Sequence, residues 1–482
     1  MHRTPPTIVR YLILSILLLS ASAAFYLLSQ NLIGQLHIKK AEQEALALRF
    51  GSAAEQFHKA GKYFPDDYSI HNSLGNIYYK MGSMASEPSE SLTLFKRAQQ
   101  NFSKALQLNT FDARSAYGLA RAGIQLEQLY ALHDKKEIKT AGITALAALE
   151  KAIELRPAST IYHLAMTRYL HLHGEKKRVF YEVRILGQLQ PAMLGQLRRE
   201  PFWSVAVRRS FQHGVQEALA AGTTPRQSLF TLSEIMAEEQ NYREAIFYRI
   251  KGMAVQEALN GSGDYIRLGY LHLMEDQRSR ASENFFLALQ HSADIEKDII
   301  AIMRTCRNVG DPQSLVEFYR GSAKKYGIST TTGLYAANML IGLQDFENAK
   351  TILHETNARQ PTGEAYFQLM RIAEKEQDWD AAELAIQKAV MHHPANSNYH
   401  LVFSKVLNRL QKYERAEKEA GLAMQYIDNA SAGLYHYRAS LRMHLKQYEE
   451  AMQDWQKALE LDPENQNYLN QLEKVKKLIG EE

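Results

Sequence analysis

Three clusters of cations around one aromatic pair are the side chains of this sequence best suited to hold a ligand. Lys176-Lys177-Arg178, Arg198-Arg199 and Arg208-Arg209 lie in one stretch, with Phe202-Trp203 between the last two. From residue 158 to residue 214, nine Arg and Lys face three Glu, more positive charge than the net +4 of the whole chain. Clustered guanidinium groups attract carboxylates, sulfates and phosphates. Arg198, Arg199, Arg208 and Arg209 are therefore candidate contacts for an acidic protein, an anionic glycan (polysaccharide) or a lipid headgroup. The same residues also suit the solvated face of irregular helices, with Phe202 and Trp203 as core. No nucleic acid is expected, because one aromatic doublet is too little for a base-stacking groove.

Bond-making chemistry has no comparable signal. The sequence contains no G-x4-G-K-[ST] phosphate loop, no H-E-x-x-H and no G-x-S-x-G. Gly261-Ser262-Gly263 reads as a linker between helices. His171 and His173 are two residues apart, which puts them on different faces of a helix, a poor metal pair. His392-His393 precedes Pro394 and reads as a solvated helix end. Cys306 is the sole cysteine, so there is no internal disulfide and no Cys-based zinc site. It falls in the helical stretch Ile299–Val309 and reads as a small core residue. No catalytic residue, cofactor or metal is expected, and the chain reads as a non-enzyme.

The elements that position these residues announce themselves by a period. Ala245, Ala281, Leu315, Ala349, Ala382, Ala416 and Ala451 follow at steps of 36, 34, 34, 33, 34 and 35 residues. A small or short apolar residue at that interval marks stacked helix pairs that bury their core between neighbours. In the last unit, Tyr435 and Ala439 precede Ala451, Trp455, Ala458 and the closing Pro463, which cannot continue a helix. Similar sets are Tyr366, Leu369, Ala382, Ile386, Ala389 and Pro394, and Tyr265, Leu268-Gly269, Ala281, Phe285 and Ala288. Near the N-terminus, His71, Leu74-Gly75 and Tyr78 keep that spacing and are followed by Ala98, Phe102 and Ala105. The polar stretch Ser83–Ser91 between them reads as a loop insertion. Ala145, Leu149, Ala152 and Pro157 mark another second helix.

These residues resemble the tetratricopeptide repeat (TPR) family, with its W-x2-L-G-x2-Y, A-x3-F and closing Pro. The resemblance runs from about Ala45 to Pro463, in ten or eleven repeats. Gly333 at a bulky position, Thr356 at a small apolar one and Leu315 in place of Ala depart from the pattern. The resemblance implies an all-α superhelical solenoid of antiparallel helix pairs, right-handed, whose concave face holds protein partners. Asn72 and Asn76 match two positions of the carboxylate clamp that some members use for peptide C-termini, but the Lys of that clamp is missing. Some membrane-anchored members end in a cysteine-rich metal knuckle, whereas this chain ends in Glu481-Glu482.

A different signal occupies residues 11–33. Tyr11–Leu28 has no charged residue, and 18 helical residues reach about 27 Å, close to the hydrocarbon thickness of ~30 Å. The rival is a cleaved signal peptide, with Arg3 and Arg10 ahead of Tyr11–Leu19 and Ala21-Ser22-Ala23 as the cleavage site. The apolar run resumes at Phe25-Tyr26-Leu27-Leu28, which favours an uncleaved single-pass transmembrane helix with the body outside the cytoplasm, in the periplasm.

The expected organisation is a short head at 1–10, the anchor at 11–33, repeats with loop insertions at 45–157, an irregular basic helical segment at 158–225, repeats at 226–463, and a capping helix with tail at 464–482. The expected function is a membrane-tethered scaffold for protein–protein interactions in assembly or export at the bacterial cell envelope. The alternative is an envelope protein that grips an anionic polysaccharide or lipid headgroup through the basic segment.

Overall fold

A computed structural model describes residues 7–131 and 135–480. The first six residues of the expected head, and Glu481-Glu482 of the tail, lie outside the described residues. Helices alternate with short turns throughout, and no strand occurs among the described residues. The chain divides into two compact units, residues 1–235 and 236–482.

In the first unit α1 (Thr7–Leu46) and α2 (Phe50–Tyr63) pair, as do α3 (Tyr68–Met84) with α4 (Pro88–Leu108) and α5 (Ala113–Tyr130) with α6 (Lys135–Leu155). Next come α7 (Thr160–Leu172), α8 (Lys176–Leu189), the short α9 (Leu194–Leu197), α10 (Val205–Ala220) and α11 (Pro225–Glu238). The second unit holds α12 (Tyr242–Val255), α13 (Ser262–Met274), α14 (Arg278–Gln290), α15 (Ile295–Val309), α16 (Pro312–Tyr326), α17 (Thr330–Gly342) and α18 (Phe346–Arg359). It continues with α19 (Gly363–Lys375), α20 (Trp379–His392), α21 (Ser397–Arg409), α22 (Tyr413–Gln425), α23 (Ala432–His444), α24 (Tyr448–Leu461) and α25 (Gln466–Ile479).

One turn recurs between paired helices. Gln240, Asp276, Gly310, Gln344, Gln377, Gln411 and Lys446 all have positive φ. Each precedes its periodic residue, Ala245 to Ala451, by five positions, and all seven of those residues are fully buried. The residue after the left-handed one donates its N–H five residues back, as in Asp378 to Ala373 O (2.9 Å) and Lys412 to Leu407 O (2.9 Å). That bond satisfies carbonyls the ending helix leaves open and reverses the chain in two residues. Asp345 and Asp378 then cap the next helix through their carboxylates. The turn also occurs at Leu48, five before the buried Ala53, and at Gly174, five before the buried Val179.

The small residues let helices close on bulky partners. Phe102 of α4 lies against both Gly75 of α3 and Gly118 of α5, where a Cβ would collide with its ring. In the last repeat Trp455 sits among Ala439, Ala451, Leu472 and Val475, so α25 covers the open end of the stack. Two departures from the repeat pattern explain each other. Gly333 has no Cβ because the side chain of Thr356 occupies that space. Ser83–Ser91, expected as a loop, is helical except for Ala85–Glu87. The extra residues lengthen α3 and α4, because Pro88 is suited to the first helical position and starts α4 there.

Helix α1 has two halves. Its described apolar side chains from Leu12 to Leu32, among them Leu19, Phe25 and Leu28, are exposed. It holds the one stretch among the described residues that is long and apolar enough to cross a membrane. From Gly34 onward it packs on α2, with Phe64 against Gly34 and Ala41 fully buried.

Candidate functional site

The four arginines singled out from sequence stand on two elements. Arg198 and Arg199 follow α9 and are exposed; Arg208 and Arg209 open α10, the first half-buried and the second exposed. Phe202 between them is buried, and Trp203 packs edge-on against Phe211 at 6.1 Å. Together with His171, Lys176 and Phe180, Phe202 and Trp203 line a groove of about 480 Å³. Three other cations of the segment are paired with carboxylates. Arg168 pairs with Glu200 at 2.5 Å, Arg178 with Glu150 at 2.8 Å, and Arg184 with Glu217. Glu150 precedes the basic segment and Glu217 follows its last arginine, but both lie beside its cations in space. The charge visible in the sequence therefore overstates the charge the folded segment presents.

A second groove belongs to the other unit and was not anticipated. About 780 Å³ in volume, it is lined by α19, α21 and α23, the first helices of three successive pairs, together with Trp379 and Tyr413, which open α20 and α22. Arg371, Lys405 and Arg409 point into it with one carboxylate, Glu374. Trp379, Tyr413 and Tyr437 supply aromatic walls, and the Arg409 guanidinium lies 5.8 Å from the Trp379 ring centre. Arg371 donates to Gln368 Oε1 at 3.1 Å, and the Tyr437 hydroxyl meets Ser404 Oγ at 3.1 Å. Burial pushes the Tyr437 phenol up, so it stays neutral and can donate. Such a surface offers guanidinium and ammonium donors beside flat apolar walls, which suits an extended acidic segment with apolar side chains. The sequence carried a signal for it: Arg371 and Lys405 stand one repeat apart, as do Glu374 and Asn408.

Asn72 and Asn76 are engaged within the protein. The Asn72 amide donates to Ser115 Oγ at 2.7 Å, and that of Asn76 donates to Asn72 at 3.0 Å.

Two buried histidine–glutamate pairs also escaped the sequence reading. His163 Nδ1 meets Glu182 Oε2 at 2.6 Å while Nε2 meets the Pro157 carbonyl at 2.8 Å. His400 repeats this with Glu419 at 2.6 Å and the Pro394 carbonyl at 2.8 Å. The spacing P-x5-H-x18-E occurs at both places. A carbonyl only accepts, so Nε2 carries a proton; Nδ1 carries the other, or Glu holds it. For His163 burial works against the charged ring, but the bonds to Glu182 and Pro157 outweigh it and its pKa is raised. His173 is bonded to Glu127 at 2.8 Å, with no metal cluster of three or more His, Cys, Asp or Glu among the described residues. Cys306 is fully buried and its thiol is pushed up to about 12 by burial.

The α23–α24 pair, with Trp455 packed among Ala439 and Ala451, is the unit that a known family matches. Residues 432–465 match the tetratricopeptide repeat family. That pair is a tetratricopeptide repeat. Among solved structures, the chain is similar to the C-terminal part of a TPR repeat-containing protein from Cytophaga hutchinsonii, at 13% identity and TM-score 0.35, covering 50% of this chain and 98% of that one. It is similar to PilF of Pseudomonas aeruginosa, at 16% identity and TM-score 0.31, covering 43% and 95%. It is also similar to a chain of the APC/C hetero-tetramer Cut9–Hcn1, at 13% identity and TM-score 0.28, covering 90% and 95%. No curated protein matches the sequence.

Proposed function

We propose that this protein is a membrane-tethered TPR scaffold that docks protein partners, in assembly or export at the bacterial cell envelope. The groove over α19, α21 and α23 is the observation that carries the docking role. It brings three cations and four aromatic rings, Phe367, Trp379, Tyr413 and Tyr437, from successive repeats onto one surface, with a single opposing carboxylate. Nothing in the groove arranges a nucleophile, base and orienting group, so no reaction is proposed for it. The tether is residues 11–33 of α1, whose exposed apolar side chains suit lipid, with the repeats outside the cytoplasm. Tethering confines the search for a partner to the membrane surface and raises its effective concentration.

Photo-crosslinking in intact cells tests this reading, with a crosslinkable residue at Asn408 and mass-spectrometric identification of the products. A discrete protein adduct, lost when Arg371, Lys405 and Arg409 are reversed to Glu, is the expected result. Absence of any specific adduct sinks the scaffold reading.

A second reading starts from the surface cations: the segment around Arg198, Arg199, Arg208 and Arg209 grips an anionic glycan or lipid headgroup, near a groove whose lining holds Lys176 but none of these four arginines. Its signature is a salt-sensitive association that disappears when the four arginines are changed to Gln.

A further inference from the structure

We propose that one end of the first unit, the end carrying the α2–α3 and α4–α5 turns, lies on the membrane surface and inserts Phe111 into the headgroup layer. The proposal rests on the reading of residues 11–33 as a membrane span.

The argument starts from the continuity of α1. Helical structure runs unbroken from Thr7 to Leu46, so the apolar half and the packed half are one rod. No linker separates the span from the repeats, because the packed half of α1 is itself the first helix of the array, turning at Leu48 into α2. Twenty-three helical residues cover about 34 Å, enough to cross a hydrocarbon layer of ~30 Å. Gly34 then stands at the lipid boundary. Phe64, the residue that ends α2, packs against that glycine. The α2–α3 turn is thereby held at headgroup level.

The next turn of this kind is at the same end. Asn72 in the first turns of α3 reaches Ser115 at the start of α5. Phe102, near the end of α4, contacts Gly75 of α3 and Gly118 of α5. The starts of α3 and α5 and the end of α4 therefore lie level, and residues 109–112 join the last two of these. Phe111 sits in that turn, 82% exposed, with its backbone N–H fixed by Asn109 Oδ1 at 3.1 Å. Apolar exposure by itself does not choose the end, since Leu48 and Met84 are also exposed, at the opposite ends of α1 and α3. The direction in which α1 leaves the unit chooses it. A phenylalanine ring at the boundary gains by leaving water for the acyl–headgroup zone.

Site-directed spin labelling of the full chain in phosphatidylcholine–phosphatidylglycerol vesicles tests the inference. Single cysteines replace Leu19, Leu48 and Thr110 in turn; the native Cys306 is fully buried, and burial holds its thiol protonated. Expected is a nitroxide deep in lipid at Leu19→Cys, one freely reached by a water-soluble nickel relaxer at Leu48→Cys, and one shielded several-fold from it at Thr110→Cys. Adding Phe111→Asp should restore access at residue 110. If residue 19 is deep in lipid but residue 110 is as accessible as residue 48, the surface contact is wrong and the span stands. If residue 19 is accessible to the nickel relaxer, the span fails and takes this inference with it. Shielding at residue 110 that survives Phe111→Asp overturns insertion of the ring.

Discussion

In α7–α10 three arginines, Arg168, Arg178 and Arg184, answer nearby carboxylates; in α19–α23 three cations line an open groove. Both regions use the same parts. Each has a left-handed turn, at Gly174 in one and at Gln377 and Gln411 in the other. Each has a buried His–Glu pair bonded to a proline carbonyl. They part company at the next contact. After α8 the chain departs from the simple pairing, and α8 crosses α10 where Gly187 meets the Phe211 carbonyl and Gly214 meets the Arg184 carbonyl. That crossing is backbone on backbone, and Arg184 is drawn to Glu217 beside it. In α19–α22 alanines such as Ala382, Ala389, Ala416 and Ala420 space the helices, leaving the first-helix face uncovered. The lesson is that local charge becomes a binding surface only where packing leaves it unanswered.

The sharpest way to break the parallel is to remove the two carboxylates. Glu182→Ala should cost about 4 kcal/mol, since it strands a buried imidazole, and Glu419→Ala about 2 kcal/mol, since that carboxylate is nearer solvent. Urea midpoints of the full chain measure both. The pair at His163 should also respond to pH. Its folded pKa is raised, so its stabilisation is complete below the usual value near 6.5 and fades as pH rises through the folded-state value. The gap between wild type and Glu182→Gln should accordingly be wider at acid than at alkaline pH.

Glycine substitutions separate the regions next. Gly214→Ala should cost about 3 kcal/mol, because the added methyl would overlap the Arg184 carbonyl. Gly421→Ala on α22 should instead stabilise by about 0.5–1 kcal/mol, because its nearest neighbour is an Arg438 nitrogen at 4.0 Å and alanine is the better helix former. Equal losses at both sites would remove the proposed difference in packing.

Reversing Arg371, Lys405 and Arg409 to Glu should lower the yield of crosslinked partner about tenfold, or roughly 1.4 kcal/mol. The same change at Arg198, Arg199, Arg208 and Arg209 should leave it within about twofold, the modest effect of charges outside an interface core. The opposite ranking would favour the basic segment as the binding surface.

A further modest effect concerns the turns. Gln411→Gly should raise stability by about 1 kcal/mol by relieving a left-handed side-chain residue, and Gly174→Gln should lower it by a similar amount. Thermal denaturation resolves both.

The periodic alanines made the helix pairs legible, because a fully buried second-helix position tolerates little else. The turns were not legible. Gln240, Gln344, Gln377 and Gln411 have no intrinsic preference for positive φ, and the helix end imposes it. Ser83–Ser91 misled for the related reason that polar residues extend a helix as readily as they form a loop. The groove could have been found by comparing Arg371 with Lys405, one repeat on. The neutralised arginines could not, since Glu150 and Glu217 become neighbours only when the helices pack. His163 and Glu182 lie 19 residues apart on two helices, a distance across which sequence periodicity carries no information about contact.

Phe102 fills the space that Gly75 on one side and Gly118 on the other leave for it. A ring shared in this way has no single owner. Pulling on either α3 or α5 unseats the same wedge, so a mechanical load entering along α1 should pass through this part of the chain as one cooperative step in a force–extension trace, not as a sawtooth of separate releases.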